Sequence, residues 1–155
     1  MRNKSYKSKM VILVIIIPIL FSCATIQQKQ GESRDAQFYN NQGAIYVAKG
    51  QYDQAISDFN KVLEIDPKFA GGGAYYGRAM VYEKKNQYDQ AILDFNKALE
   101  IDPKHASAYY NRGRSYYFKK EYDKSWNDIR KAQDLGYKIP AEFLDDLRKA
   151  SEREE

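Results

Sequence analysis

The chain has 155 residues, a net charge of +4 and a single cysteine, so it suits one ordinary domain and excludes an internal disulfide. Four basic residues, Arg2, Lys4, Lys7 and Lys9, fall in the first ten positions; the remainder holds 21 basic against 21 acidic residues, mixed along the chain. That balance argues against a nucleic-acid partner, whose affinity would rest on neutralising phosphates.

In chain order, residues 1–9 are polar and basic, Met10 to Phe21 is an apolar run interrupted by Pro18, and Ser22, Cys23 and Ala24 are small. This is the three-part layout of a secretory signal. The run is shorter than the roughly 20 residues needed to cross a hydrocarbon core of about 30 Å, and proline breaks it further. Leu20-Phe21-Ser22-Cys23 resembles the lipobox of bacterial lipoproteins, although Phe21 is bulkier than the residue usual there. The resemblance implies that 1–22 is a lipoprotein signal peptide and that the sulfur of Cys23 is the lipidation site, with a diacylglyceryl group and a further acyl chain such as palmitate. At about 0.8 kcal/mol per buried CH₂, such chains would hold the protein at a membrane permanently. It further implies a cell-envelope protein facing the periplasm, with Ala24 favouring the outer membrane. The alternative is an ordinary signal peptide, or an uncleaved anchor, with a coincidental cysteine. Residues 23–35 then form a lipidated start and a flexible tether, because Thr25 to Arg34 is polar and lacks apolar periodicity.

Three segments of the body align. Tyr39, Gly43, Tyr46, Ala55, Phe59 and Pro67 recur as Tyr75, Ala79, Tyr82, Ala91, Phe95 and Pro103, then as Tyr109, Gly113, Tyr116, Ser125 and Ile129 with no third proline. The pattern resembles the tetratricopeptide repeat. The resemblance implies an all-α fold, a right-handed α-solenoid of three helix pairs (36–69, 72–105 and 106–139) with a C-terminal capping helix and tail (140–155). The small residues mark close helix approach, and Tyr46, Tyr82, Phe59 and Phe95 fill the space between units. Asp53, Asp89 and Asp123 stand where a carboxylate can accept free backbone N–H groups, and Asp-Pro stops helices at Pro67 and Pro103. Gly71-Gly72-Gly73 is expected to loosen the first junction. Gly136 and Pro140 frame the start of the cap, where Phe143, Leu144 and Leu147 have helical spacing.

In this family the first helix of each unit lines a concave groove. The groove positions hold Gln37, Asn40, Ala44 and Val47, then Tyr76, Met80, Glu83 and Lys84, then Ser107, Tyr110, Arg114, Tyr117 and Phe118. Asn40, Tyr76, Met80, Tyr110, Arg114 and Tyr117 are the candidate partner-binding residues, since Tyr and Arg concentrate binding energy in interfaces. For Tyr117 and Phe118, cover from the capping helix is the alternative. The positions where some relatives clamp a terminal carboxylate hold Asn40, Ala44, Gly77, Ser107 and Asn111, with no cation.

Nothing points to catalysis, a metal or a cofactor. His105 is alone, in a turn expected to be solvated, so it lacks partners for a zinc site or a nucleophile–base pair. The glycine run is followed by no Lys-Ser/Thr in the frame of a phosphate loop. The expected function is a membrane-anchored adaptor that docks a protein or peptide, with no nucleic acid and no small-molecule substrate. The alternative is a structural accessory subunit of an envelope assembly or secretion complex that self-associates through its open helical ends.

Overall fold

A computed structural model describes residues 27–152; Cys23 and the segment before it lie outside the described residues. The described chain is all-helical: α1 (27–48), α2 (Tyr52–Ile65), α3 (Gly73–Lys84), α4 (Tyr88–Ile101), α5 (Ala106–Phe118), α6 (Tyr122–Asp134) and α7 (Ala141–Ser151), with a 3-10 turn at Phe69–Gly72. It is a right-handed α-solenoid of three pairs, α1–α2, α3–α4 and α5–α6, capped by α7. α3 packs on α4 and α5 on α6 within pairs, while α2 meets α3 and α4 meets α5 between pairs.

Local chemistry sets the breaks. Asp66 and Asp102 turn extended before their prolines, and each Oδ1 accepts the backbone N–H two residues on, from Lys68 at 2.9 Å and Lys104 at 3.0 Å. Gly136, at φ +85°, closes α6 with the N–H of Tyr137 reaching back to Ala132 O at 2.9 Å. The turn inside each pair is repeated three times: the N–H groups of Gln51, Gln87 and Glu121 donate to the carbonyls of Tyr46, Tyr82 and Tyr116, all at 2.9 Å. The residue before each donor is left-handed: Gly50, Asn86 and Lys120 at φ +72°, +58° and +62°. Only lysine among the three has a side chain poorly suited to that region, at a cost of about 1 kcal/mol. Lys120→Gly should therefore raise the thermal midpoint by about 4 °C; a circular-dichroism melt showing no rise would remove this reading.

The interior is a row of small clusters, as a solenoid requires. Ala36, Val62 and Ala74 form one, and Ala55, Phe59 and Val81 the next. Ala79, Ala91, Phe95, Leu99 and Ala108 form a third, and Tyr110, Ile129, Ala132, Ile139 and Leu147 a fourth beneath the cap. Phe59 explains Gly77, one of the clamp-like positions: a Cβ there would come within 2.8 Å of Phe59 Cζ, so its smallness serves packing between pairs.

A polar ladder crosses the pairs. Arg78 Nε and Nη2 donate to Asp94 at 2.7 Å, and its Nη1 reaches Asn60 Oδ1 in the preceding pair. Arg112 repeats this with Asp128, at 2.7 and 2.6 Å, and with Asn96. The first pair has Gln42 at the arginine position. Its Asp58 is buried, bonded by Lys61 at 3.2 Å through Oδ1, and its Oδ2 has no hydrogen-bond partner among the described residues.

Three expectations need correction. Asp53, Asp89 and Asp123 lie in the first turns of α2, α4 and α6, but the cap residues are Gln51, Gln87 and Glu121, and no side chain caps those helices. Two positions inside the helix, the carboxylates project outward; Asp53 pairs with Lys85, and Asp89 with Lys119 at 2.7 Å. The glycine run does not loosen its junction: Ala70, Gly71 and Gly72 are all left-handed, and a Cβ on buried Gly72 would lie 3.2 Å from the Ala98 backbone. Finally, 27–35, expected within the flexible tether, is helical and continuous with α1. Gln27, Gln28, Lys29, Gln30, Glu32 and Arg34 are good helix formers, with Gln28 bonded to Glu32 at 3.2 Å, so elongation needs no apolar stripe.

Candidate functional site

The first helices of the second and third pairs, α3 and α5, touch directly. Between them runs a chain of polar contacts. The Tyr76 ring stacks on His105 at 4.6 Å, and its hydroxyl accepts from Asn111 Nδ2 at 2.9 Å. Burial raises the Tyr76 phenol above its ordinary pKa, so it stays protonated at neutral pH. Asn111 also donates to the Ser107 carbonyl at 2.9 Å, and its Oδ1 accepts from Arg114 at 3.4 Å. The Arg114 guanidinium lies 5.8 Å from the Tyr110 ring centroid and 3.5 Å from Glu83 Oε1.

Beyond Arg114 the helices leave a cleft of about 170 Å³. One wall is the stacked pair Tyr88 and Phe118, with ring centroids 5.0 Å apart. Met80 and Glu83 line its depth, and Lys84 and Arg114 its rim. Glu83 is 7 % exposed, and its Oε1 accepts no hydrogen bond among the described residues. Burial raises its carboxyl above the ordinary value of 4.5, with Arg114 opposing. The fold thus holds this proton more tightly than the unfolded chain does, and ionised Glu83 costs stability above its folded pKa but not below the unfolded one. Glu83→Gln should stabilise the fold by about 1 kcal/mol at pH 7. The gain should shrink towards pH 4.5; equal gains in melts at both pH values would exclude this cause.

The six candidate binding residues divide. Tyr76, Met80 and Arg114 meet at the chain and the cleft. Asn40 is half-buried on α1 and joins neither. Tyr110 is 8 % exposed and belongs to the core: it stacks on Tyr137 at 4.8 Å and meets Phe143 edge-on at 5.7 Å. It is therefore closed to a partner, because the segment after α6 lies over it. Tyr117 is half-buried against Phe143 of the cap at 5.4 Å, whereas Phe118 turns to Tyr88 and stays 48 % exposed. Sequence reasoning missed His105, which is half-buried and caps α5 through Nδ1, accepting the Ala108 N–H at 3.3 Å. Its place next to Tyr76 parallels that of Tyr137 next to Tyr110; both rings rest on the turn that opens the following helix pair or cap.

Stacked helix pairs with half-buried polar side chains on their first helices define a repeat scaffold for protein interaction. The chain belongs to the tetratricopeptide repeat family: one tetratricopeptide repeat model matches residues 36–69 and 73–105 and a second matches 95–127, together more than half of the chain. No curated protein matches it. Among solved structures, the chain is similar to the first such domain of Spaghetti (RPAP3), bound to the HSP90 peptide SRMEEVD, at 25 % identity and a TM-score of 0.70, covering 78 % of this chain and 94 % of that one. It also resembles the TPR2B domain of yeast Sti1 in its pHsp70 complex, at 22 % identity, TM-score 0.68 and 79 % and 99 % coverage. The Arabidopsis OM64 domain shares 21 % identity with a TM-score of 0.67, covering 79 % and 95 %.

Proposed function

We propose that this chain is an adaptor of the bacterial cell envelope, lipid-anchored through Cys23, that docks a protein or peptide partner between α3 and α5. The observation that carries the docking reading is the open cleft beside the Tyr76–Asn111–Arg114–Glu83 chain, where the half-buried Tyr76, Met80 and Arg114 remain accessible beside the buried Asn111 and Glu83. The peptide held by the Spaghetti domain supports the same use of the scaffold. The acid-ended chaperone tail is not the ligand favoured here, because Asn40, Ala44, Gly77, Ser107 and Asn111 supply no cation and Gly77 is filled by Phe59. A photo-crosslinker at Met80 should capture a partner in cells, while one at the exposed Leu93 on α4 should not; capture from Leu93 alone would place the interface elsewhere. The anchor rests on the lipobox resemblance. Cys23→Ser should move the protein from the membrane to the soluble fraction, and retention at the membrane would refute lipidation there.

One observation favours the second reading, a self-associating accessory subunit. Phe38 and Ile45, seven residues apart on α1, are 59 % and 53 % exposed. Light scattering of the wild type and of Ile45→Lys tests it: a dimer that the substitution dissolves supports self-association, and a monomer throughout removes it.

A further inference from the structure

We infer that the cleft between α3 and α5 is a pocket for a basic side chain, lysine or arginine, of the partner; this deepens the docking reading and rests on it. Glu83 is more than nine-tenths buried and lines the cleft, and its buried Oε1 accepts no hydrogen bond among the described residues. A desolvated carboxylate in that condition calls for a charged donor. Arg114 fills the role only in part: its Nη2 pairs with Glu83 Oε1 at 3.5 Å, longer than a charge-assisted hydrogen bond of about 2.7–2.9 Å, while its Nη1 turns to Asn111 and its guanidinium lies over the Tyr110 ring. Lys84 is exposed on the rim.

The walls suit the rest of such a ligand. Met80 and the stacked rings of Tyr88 and Phe118 give apolar and π surfaces for an aliphatic stem and its cationic head. Neither repeat-equivalent position can reproduce the site: Val47 stands in place of Glu83 in the first unit and Tyr117 in the third. Among the described repeats the pocket thus occurs once, and it would fix the register of an extended partner segment along the groove.

The test uses side-chain analogues rather than a partner. Butylguanidinium, butylammonium and pentanoate are titrated in turn against the isotopically labelled full chain in detergent micelles, followed by nuclear magnetic resonance. The two cations should produce saturable shifts at the Met80 methyl and the Glu83 and Phe118 amides, and pentanoate should not. Glu83→Gln, which keeps the shape and favours folding, should weaken the cations by about tenfold. Phe118→Ala should weaken them severalfold. Shifts from pentanoate alone, cation shifts unchanged in Glu83→Gln, or no shifts at these groups would each overturn the assignment. Capture from Met80 in cells alongside any of those results leaves the adaptor standing and removes only the pocket's chemistry.

Discussion

Phe95→Ala should cost about 3–5 kcal/mol, a large part of the roughly 5–15 kcal/mol that holds a domain folded. Phe95 is fully buried and gathers Ala79 of α3, Ala91 and Leu99 of α4 and Ala108 of α5, with Tyr76 and Tyr109 packed around it. It is therefore shared between the second and third pairs. In a solenoid, stability is a sum of unit terms and neighbour terms, and this residue contributes to both. The variant should lose midpoint and also cooperativity, as the halves on either side of Phe95 come apart separately. Calorimetry would show this as a broadened or split transition; a single sharp transition shifted by only a degree or two would mean that Phe95 does not join the pairs.

Arg112→Ala should cost about 3 kcal/mol, more than an exposed arginine could. Asp128 is buried, and Arg112 is its hydrogen-bond partner through Nε and Nη2, so truncation leaves a carboxylate in the interior without a counter-charge. The loss also cuts the bond from Arg112 to Asn96 across the pair boundary. The first pair lacks that arginine: Gln42 stands at its position, and Asp58 has only the Lys61 ammonium at 3.2 Å on Oδ1, with Oδ2 unbonded among the described residues. Gln42→Arg should accordingly stabilise, by about 1 kcal/mol, since the new guanidinium gains Asp58 Oδ2 but has no preceding asparagine. Urea titrations of the two variants check both signs. A destabilised Gln42→Arg would show that the ladder depends on its cross-pair bond rather than on the buried pair.

Periodicity made most of the fold legible. Asp66-Pro67 and Asp102-Pro103 mark helix ends by sterics that no tertiary contact overrides, and Gly136-to-Pro140 framed a cap that runs over Ala141–Ser151. The site was less legible, for reasons that differ by residue. Repeat arithmetic gives the face on which Tyr110 stands but not its cover, which is Tyr137 and Phe143 from the one segment without a repeat partner. His105 read as a solvated turn because its neighbour Tyr76 is 29 positions away. Glu83 is the opposite case. It differs from Val47 and Tyr117 at the same repeat position, and a departure from the internal pattern at one inner site was the available signal.

The run-in of α1 makes whatever precedes residue 27 a question of angle as well as of reach. Residues 27–35 are helical, so each residue inserted there would advance the start of the helix by about 1.5 Å and swing it by about 100° around the helix axis. Seven added residues would bring the original bearing back to within about 20°, whereas two or five would turn it by about 140–160°. Spacing in this segment therefore sets the bearing of residue 27 relative to the cleft, which a coil of the same length could not hold.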